Sequence, residues 1–205
     1  MDKRNVPEPT TPQGRATKRR IVAAAAESMY VRGVGATSLD DVLAASGTGK
    51  SQFYHYFSNR EKLIEEVLTH QLGEVLQEQG RFPLDTWEGI QGWLEGLVVM
   101  HETTRAFHGC PLGSIAGAVL EESSRLRSRA SEAFAEWESS LAVGFDKMQQ
   151  RGLLRPDADV LALAEATIAI VQGGYLLSAT KRNSRAMRNA VWVALEHLGS
   201  FRSES

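Results

Sequence analysis

Only one cysteine, Cys110, occurs among the 205 residues, so the chain has neither an internal disulfide framework nor a cysteine-based zinc site. No uninterrupted run of about 18 apolar residues is present, which argues against a membrane span. Residues 1–17 are polar and proline-rich and lack the apolar segment of a secretory signal. We therefore expect a cytoplasmic protein.

The motifs of common enzyme classes are also missing. There is no glycine-rich phosphate loop, no H-E-x-x-H and no G-x-S-x-G. His101, His108 and Cys110 are the nearest approach to a metal set, but no carboxylate pair or second cysteine completes it. We expect no enzymatic activity, no metal and no cofactor.

The charge is small overall but unevenly distributed. The net charge is −2, whereas residues 1–62 alone carry ten Lys and Arg against six Asp and Glu, a balance of +4. The remainder carries −6. A positive N-terminal third on an acidic body suits an anionic partner that docks at one end, although chance asymmetry is the alternative.

Helical periodicity runs through nearly the whole sequence, and no segment alternates with a period of two, so we predict an all-α protein of about nine helices without strands. Residues 1–14, with three prolines and a glycine, are expected to be a disordered arm. Pro156-Asp157 is taken as the start of the eighth helix. The helices are expected near 15–32, 38–46, 49–56, 60–80, 84–105, 111–120, 123–151, 157–179 and 184–201.

Two short helices joined at Gly47, between Ser38 and Phe57, carry the most informative pattern. Thr37 or Ser38 caps the first of them, with acidic residues in its first turn. The second is polar on one side and aromatic on the other. Phe53 and Phe57 are expected to pack inward, leaving hydrogen-bonding groups for base edges and phosphates. This is the construction that a helix-turn-helix requires.

The stretch resembles the TetR family of DNA-binding regulators, and the resemblance covers about residues 15–75. The matching residues are Thr37-Ser38, Val42, Gly47, Lys50, Phe53-Tyr54-His55-Tyr56-Phe57 and Ser58-Asn59-Arg60-Glu61-Lys62-Leu63, preceded by Arg20-Ile21-Val22-Ala23-Ala24-Ala25. The chain departs from the family pattern at Thr48-Gly49, Gln52 and Arg60. Thr48 is expected to replace the missing serine as the N-cap of the recognition helix.

The resemblance implies an N-terminal three-helix domain that binds operator DNA, with the recognition helix in the major groove. Lys50 and Gln52 are assigned to base edges, and Tyr54, Thr48, Ser38, Arg60 and Lys62 to phosphates. The basic residues Arg15, Lys18, Arg19 and Arg20 are near enough to touch a phosphate backbone as well. The full set of expected DNA contacts is Ser38, Thr48, Gly49, Lys50, Ser51, Gln52, Tyr54, His55, Arg60 and Lys62.

The resemblance further implies that residues 76–205 bind a ligand and form a homodimer, through helices near 157–179 and 184–201. We accordingly expect a repressor that binds a palindromic operator and is released by a small, largely apolar inducer. Two alternatives are an oxidant or electrophile sensor acting through Cys110 and a helical protein-interaction module. The expected pocket residues are Trp93, Leu97, Met100, Phe107, Cys110, Leu112, Ile115, Leu141, Phe145 and Tyr175.

Overall fold

The computed structural model describes residues 8–104 and 107–203. Within these ranges the chain forms nine α-helices and one isolated β-bridge between Leu154 and Arg202, without a strand. The expected all-α fold class is therefore confirmed. The helices are α1 (Pro12–Arg32), α2 (Leu39–Ser46), α3 (Lys50–Tyr56), α4 (Arg60–Gln79), α5 (Trp87–Thr104), α6 (Pro111–Val119), α7 (Ser124–Gln150), α8 (Val160–Lys181) and α9 (Arg185–Gly199).

Helix α1 begins three residues earlier than expected, so residues 12–14 do not belong to a disordered arm. The Thr11 hydroxyl accepts a hydrogen bond from the Gly14 amide at 3.0 Å. Pro12 follows this cap at the first helical position, where its missing N–H costs nothing. Residues 1–7 of the expected arm lie outside the described residues.

Helix α8 begins later than expected, and Pro156-Asp157 is not its start. Asp159 is the N-cap, and its carboxylate accepts from the amides of Leu161 and Ala162. The Asp157 carboxylate is instead paired with Arg155, which lowers the pKa of Asp157 chiefly through a hydrogen bond from the guanidinium. The preceding backbone is bonded to the C-terminal segment, since the Arg155 amide donates to the Phe201 carbonyl. Residues 155–157 are thus held by a local ion pair and by a backbone bond to a distant segment, and the helix begins after them.

The first of two compact units contains the described residues up to Glu74 together with Pro111–Ala133. Helix α1 packs against α2 and α6 within it. Its apolar core is contributed by every helix of the unit, because each presents one apolar face. The core side chains include Ile21, Ala25, Met29, Val42, Phe53, Phe57, Leu63, Ile64, Val67, Leu68, Leu112, Ile115 and Val119.

The second unit contains Val75–Cys110 and the described residues from Phe134 onward. Helices α8 and α9 form its most extensive pair, and α5 packs on α9. The pair is close because Gly174 faces α9: a Cβ there would lie 2.9 Å from the Ala190 Cβ. At Gly89 a Cβ would lie 1.9 Å from the Pro83 carbonyl oxygen, so only glycine lets the α4–α5 connection rest on α5.

Helix α8 is long and apolar enough to cross a membrane by length and composition. One face of the helix, which includes Leu163, Ile168 and Val171, is buried within the second unit. Helices at the core of proteins outside membranes pass the same test. The apolar character of α8 therefore has an explanation in packing, and its opposite face remains exposed.

Candidate nucleic-acid interface

The start of α2 is fixed by a reciprocal capping box. The Ser38 hydroxyl accepts from the Asp41 amide at 3.1 Å, and the Asp41 carboxylate accepts from the Ser38 amide at 2.8 Å and the Ser38 hydroxyl at 2.6 Å. The side-chain and backbone hydrogen bonds from Ser38 lower the pKa of Asp41. Ser38 is thus the cap, and Thr37 is buried with its hydroxyl donating to the Ser28 and Gly33 carbonyls.

The turn between α2 and α3 uses the left-handed backbone that glycine permits. Gly47 has φ 62° and ψ 36°, and its amide donates to carbonyls of the last turn of α2. The Thr48 amide then donates to the Leu43 carbonyl at 3.0 Å. Arg20 braces this corner from α1, since its Nε donates to the Ser46 carbonyl at 2.8 Å. These bonds set the direction in which α3 leaves α2.

Thr48 does not cap α3, contrary to expectation. The N-cap is Gly49, which provides no side-chain bond, while the Thr48 hydroxyl lies 2.7 Å from that of Ser46. The short Ser46 side chain is buried under the turn, and its hydroxyl is the hydrogen-bond partner of the Thr48 hydroxyl. Thr48 is half-buried and Gly49 is exposed.

The two faces of α3 differ sharply. Phe53 and Phe57 are buried, with ring centroids 5.1 Å apart. The remaining face is polar apart from the Tyr54 ring, which is 54% exposed. The exposed residues are Lys50, Ser51, Gln52, Tyr54 and His55. A short helix held from below by two phenylalanines thus presents an array of hydrogen-bonding groups to solvent.

Three basic side chains expected to contact DNA have partners within the first unit. Lys50 is paired with Asp40 of α2, with 3.1 Å between Nζ and Oδ1. Arg60 donates to the Thr37 carbonyl at 2.7 Å and the Val34 carbonyl at 2.5 Å. Lys62 is paired with Glu65 one turn along α4, at 2.9 Å. The guanidinium of Arg60 therefore ties α4 to the α1–α2 loop, a role that the sequence pattern does not predict.

The four basic residues near the start of α1 differ in whether the fold holds their side chains. Lys18 is paired with Glu8 and Glu66; burial lowers its pKa, but the hydrogen bonds to the two carboxylates outweigh this and raise it. Arg20 braces the turn. Arg15 and Arg19 are exposed, and Arg15 donates to the Thr10 carbonyl at 2.7 Å. Two of the four are thus held within the fold.

The residues expected to line a ligand pocket are distributed over both units. Leu112 and Ile115 are buried in the first, and Trp93, Cys110, Leu141, Phe145 and Tyr175 are buried in the second. Leu97 and Phe107 are half-buried, and Met100 is exposed. In the second unit the ring of buried His101 lies 4.9 Å from that of Tyr175, and its Nδ1 is 2.7 Å from the Leu97 carbonyl oxygen. Since a carbonyl only accepts, Nδ1 carries the proton.

Among the described residues, no group of three or more His, Cys, Asp or Glu side chains is arranged to hold a metal ion. His101, one of the three residues weighed for this role, is instead packed against Tyr175. His108 is exposed and Cys110 is buried.

Comparisons with known proteins agree with this geometry. Residues 21–67 match the family model of bacterial regulatory proteins of the tetR family. Residues 86–191 match the C-terminal domain of LmrA/YxaF-like transcriptional regulators. Helices α2 and α3 therefore lie within the first matched region, and most helices of the second unit lie within the second matched region.

The chain is similar to individual proteins over most of its length. It is 29% identical over 174 residues to the HTH-type transcriptional regulator LmrA of Bacillus subtilis (strain 168), covering 82% of this chain and 89% of that protein. It is 21% identical over 188 residues to the HTH-type transcriptional repressor DhaR of Mycobacterium sp. (strain GP1), covering 88% and 91%. A TetR-family regulator from Cytophaga hutchinsonii shares the fold with a TM-score of 0.82 at 22% identity, covering 96% of this chain and all of that one.

Proposed function

The chain belongs to the TetR family of transcriptional regulators, and on this premise we propose that it is a repressor that binds a palindromic operator as a dimer and is released by a small, largely apolar inducer. Like its relatives, it is a DNA-binding regulator and not an enzyme. One relative is named as a repressor. We further propose that it acts in the cytoplasm.

The observation that carries the proposal is the exposed polar face of α3. Lys50, Gln52 and His55 extend from a helix whose other face is anchored by Phe53 and Phe57. A helix held in this way enters a major groove without losing its own packing. We propose that Lys50 and Gln52 reach base edges, while Tyr54, Thr48 and the start of α4 contact phosphates of the DNA backbone.

The roles of Ser38 and Arg60 at phosphates are proposed in narrower form. The Ser38 hydroxyl already serves the capping box, so its part is to orient the start of α2 toward a phosphate. Arg60 has two of its five N–H groups directed at carbonyls. Lys62, whose ammonium can exchange Glu65 for a phosphate, is the stronger candidate of the two α4 residues.

A second copy of the chain is the proposed occupant of the exposed α8–α9 surface. This surface, defined by Leu161, Leu176, Leu177, Trp192 and Val193, consists of large apolar side chains in solvent. Such patches mark interaction sites. A palindromic operator needs two reading heads one DNA turn apart, and the same patch on two copies makes a closed two-fold dimer.

The proposed inducer binds within the helical C-terminal half of the chain. Phe107 and Met100 are only partly covered, close in sequence to the buried His101, and the His101 ring packs on Tyr175. Aromatic and methionine side chains suit an apolar ligand, and the imidazole offers one polar anchor. Inducer binding would lower DNA affinity by favouring a separation of the two α3 helices that does not match successive major grooves.

Cys110 is the basis of the second candidate function, a thiol-based sensor. Its side chain is only 2% exposed, which restricts access by oxidants. Cys110→Ser discriminates between the two: if electrophiles still release this variant from DNA, the thiol is not the sensor. A protein-interaction module, the remaining alternative, does not need an exposed polar α3.

Binding to the DNA that flanks the protein's own gene tests the main proposal. We expect an affinity that falls steeply as salt rises, because each phosphate contact releases counterions. Fluorescence anisotropy over a salt series measures this. Absent binding, or binding that salt does not affect, would contradict the proposal.

A further inference from the structure

The Asp40–Lys50 ion pair joins two helices at the surface that faces solvent. Its atoms are 3.1 Å apart, and the side chains remain 74% and 66% exposed. Asp40 lies in the first turn of α2, and Lys50 is the first residue of α3. The next carboxylate, Asp41, accepts from both the amide and the hydroxyl of Ser38 and contacts Arg32. Of the two neighbouring acidic residues, Asp40 is thus the one whose carboxylate faces outward beside α3.

A carboxylate at this place needs an explanation. The Asp40 carboxylate lies 3.1 Å from the Lys50 ammonium. A group on DNA that accepts a hydrogen bond from this ammonium therefore lies close to Asp40 as well. A lone carboxylate there would be repelled by phosphates. As a neutral pair with Lys50 it approaches DNA without that repulsion, and it presents an acceptor directly beside a donor.

This spacing matches that between a donor and an acceptor at the major-groove edge of a base pair. In the major groove, guanine offers the acceptors N7 and O6, and its partner cytosine offers the N4 amino donor. O6 and N4 are themselves joined by a Watson–Crick hydrogen bond, so they lie about 2.9 Å apart. A donor and an acceptor 3.1 Å apart on the protein can therefore meet an acceptor and a donor at nearly the same spacing on the DNA.

We propose that Asp40 and Lys50 together read a G·C base pair in each half-site, with Lys50 donating to guanine O6 and N7 and Asp40 accepting from cytosine N4. The inference rests on the proposed binding of α3 in the major groove. An A·T pair also places a donor beside an acceptor, but only guanine gives the ammonium two adjacent acceptors on one base. Asp40 is therefore a specificity-determining residue on α2, outside the recognition helix.

Selection from a library of duplex oligonucleotides with a randomised core of about 30 base pairs, long enough for two half-sites, tests this with the full-length protein. The enriched site is then varied one base pair at a time in anisotropy competitions. In the wild-type protein we expect one G·C position per half-site at which other base pairs weaken binding about tenfold or more. Lys50→Ala and Asp40→Ala should each reduce this preference at that position to less than about threefold, leaving preferences elsewhere unchanged.

Two further variants make the result specific. Asp40→Asn keeps the size and polarity of the side chain. This variant should also bind sites in which adenine replaces the cytosine, because an amide matches adenine N6 and N7. Glu78→Ala is the matched control: it breaks the similarly exposed Glu78–Arg81 pair in the second unit and should leave every base preference intact. Circular dichroism verifies that each variant is folded.

The outcomes separate the inference from the function on which it rests. If Asp40→Ala changes affinity equally for all sequences, or if both Asp40 variants keep the wild-type base preference, Asp40 acts through charge alone or not at all and the inference is overturned. A Lys50-dependent position that prefers A·T overturns it too. If the wild-type protein enriches no sequence, the proposed function itself fails.

Discussion

The α2–α3 surface and the α8–α9 surface are both exposed, yet they have opposite chemistry. The first presents Lys50, Gln52 and His55 on a helix anchored by two phenylalanines. The second presents Leu176 and Trp192, which are 66% and 64% exposed. Water is a good solvent for the first set and a poor one for the second. The first surface therefore suits a charged, hydrated partner such as DNA, and the second suits the same apolar surface on a second copy of the chain.

The largest effect is expected from placing a charge on the α8–α9 surface. Trp192→Glu and Leu176→Glu should each convert the proposed dimer to a monomer, because a carboxylate cannot be buried against an apolar partner without loss of its hydration. The monomer should bind a palindromic operator about 100-fold or more weakly, since the linked second contact is lost. Light scattering and anisotropy measure both quantities.

Val143→Glu is the control for these variants. It changes a similarly exposed apolar residue on α7, outside the α8–α9 surface, and should leave mass and affinity unchanged. A Trp192→Glu protein that keeps the wild-type mass would show that this surface is not the dimer interface.

An intermediate effect should separate Arg60 from Lys62 on α4. Arg60→Ala removes two charge-assisted hydrogen bonds to backbone carbonyls of the α1–α2 loop, and we expect a loss of about 2 kcal/mol in unfolding free energy. Lys62→Ala removes a half-buried pair, but Glu65 keeps its pair with Arg125, and we expect a loss of stability below about 1 kcal/mol. It should instead weaken DNA binding uniformly and reduce the salt slope by about one.

Denaturant unfolding and salt-dependent anisotropy distinguish the two variants. If Arg60→Ala unfolds like the wild-type protein while losing DNA affinity, the guanidinium serves DNA and not the loop.

The smallest effect concerns the capping box of α2. Ser38→Ala should cost about 1 kcal/mol, a typical value for loss of an N-cap. Because the folded pKa of Asp41 is lowered, the stability that its carboxylate contributes is present above the unfolded pKa and lost as pH falls through the folded value. The stability difference between wild type and Asp41→Asn should therefore shrink toward acid pH in unfolding titrations. A difference that stays constant would show that charge on Asp41 is irrelevant to the cap.

Sequence patterns located the helices well where packing and capping coincide. The apolar stripe of α1, the glycine at 47 and the paired phenylalanines of α3 each depend on neighbours a few residues away, so their effect is visible in the sequence. The pattern failed at Thr48 and at Pro156-Asp157. In each case a competing local bond, to Ser46 or to Arg155, replaced the expected cap.

The amino-acid sequence by itself determined that the chain is helical, that residues 38–57 form a helix-turn-helix and that the family is TetR, because periodicity, caps and motif spacing are local properties. The tertiary structure decided which basic side chains remain available to DNA. Arg20 and Arg60 donate to backbone carbonyls and Lys18 is paired with Glu66, whereas Lys50 forms a solvent-exposed ion pair with Asp40. Only folding brings these partners within range, and only folding sets Asp40 beside Lys50.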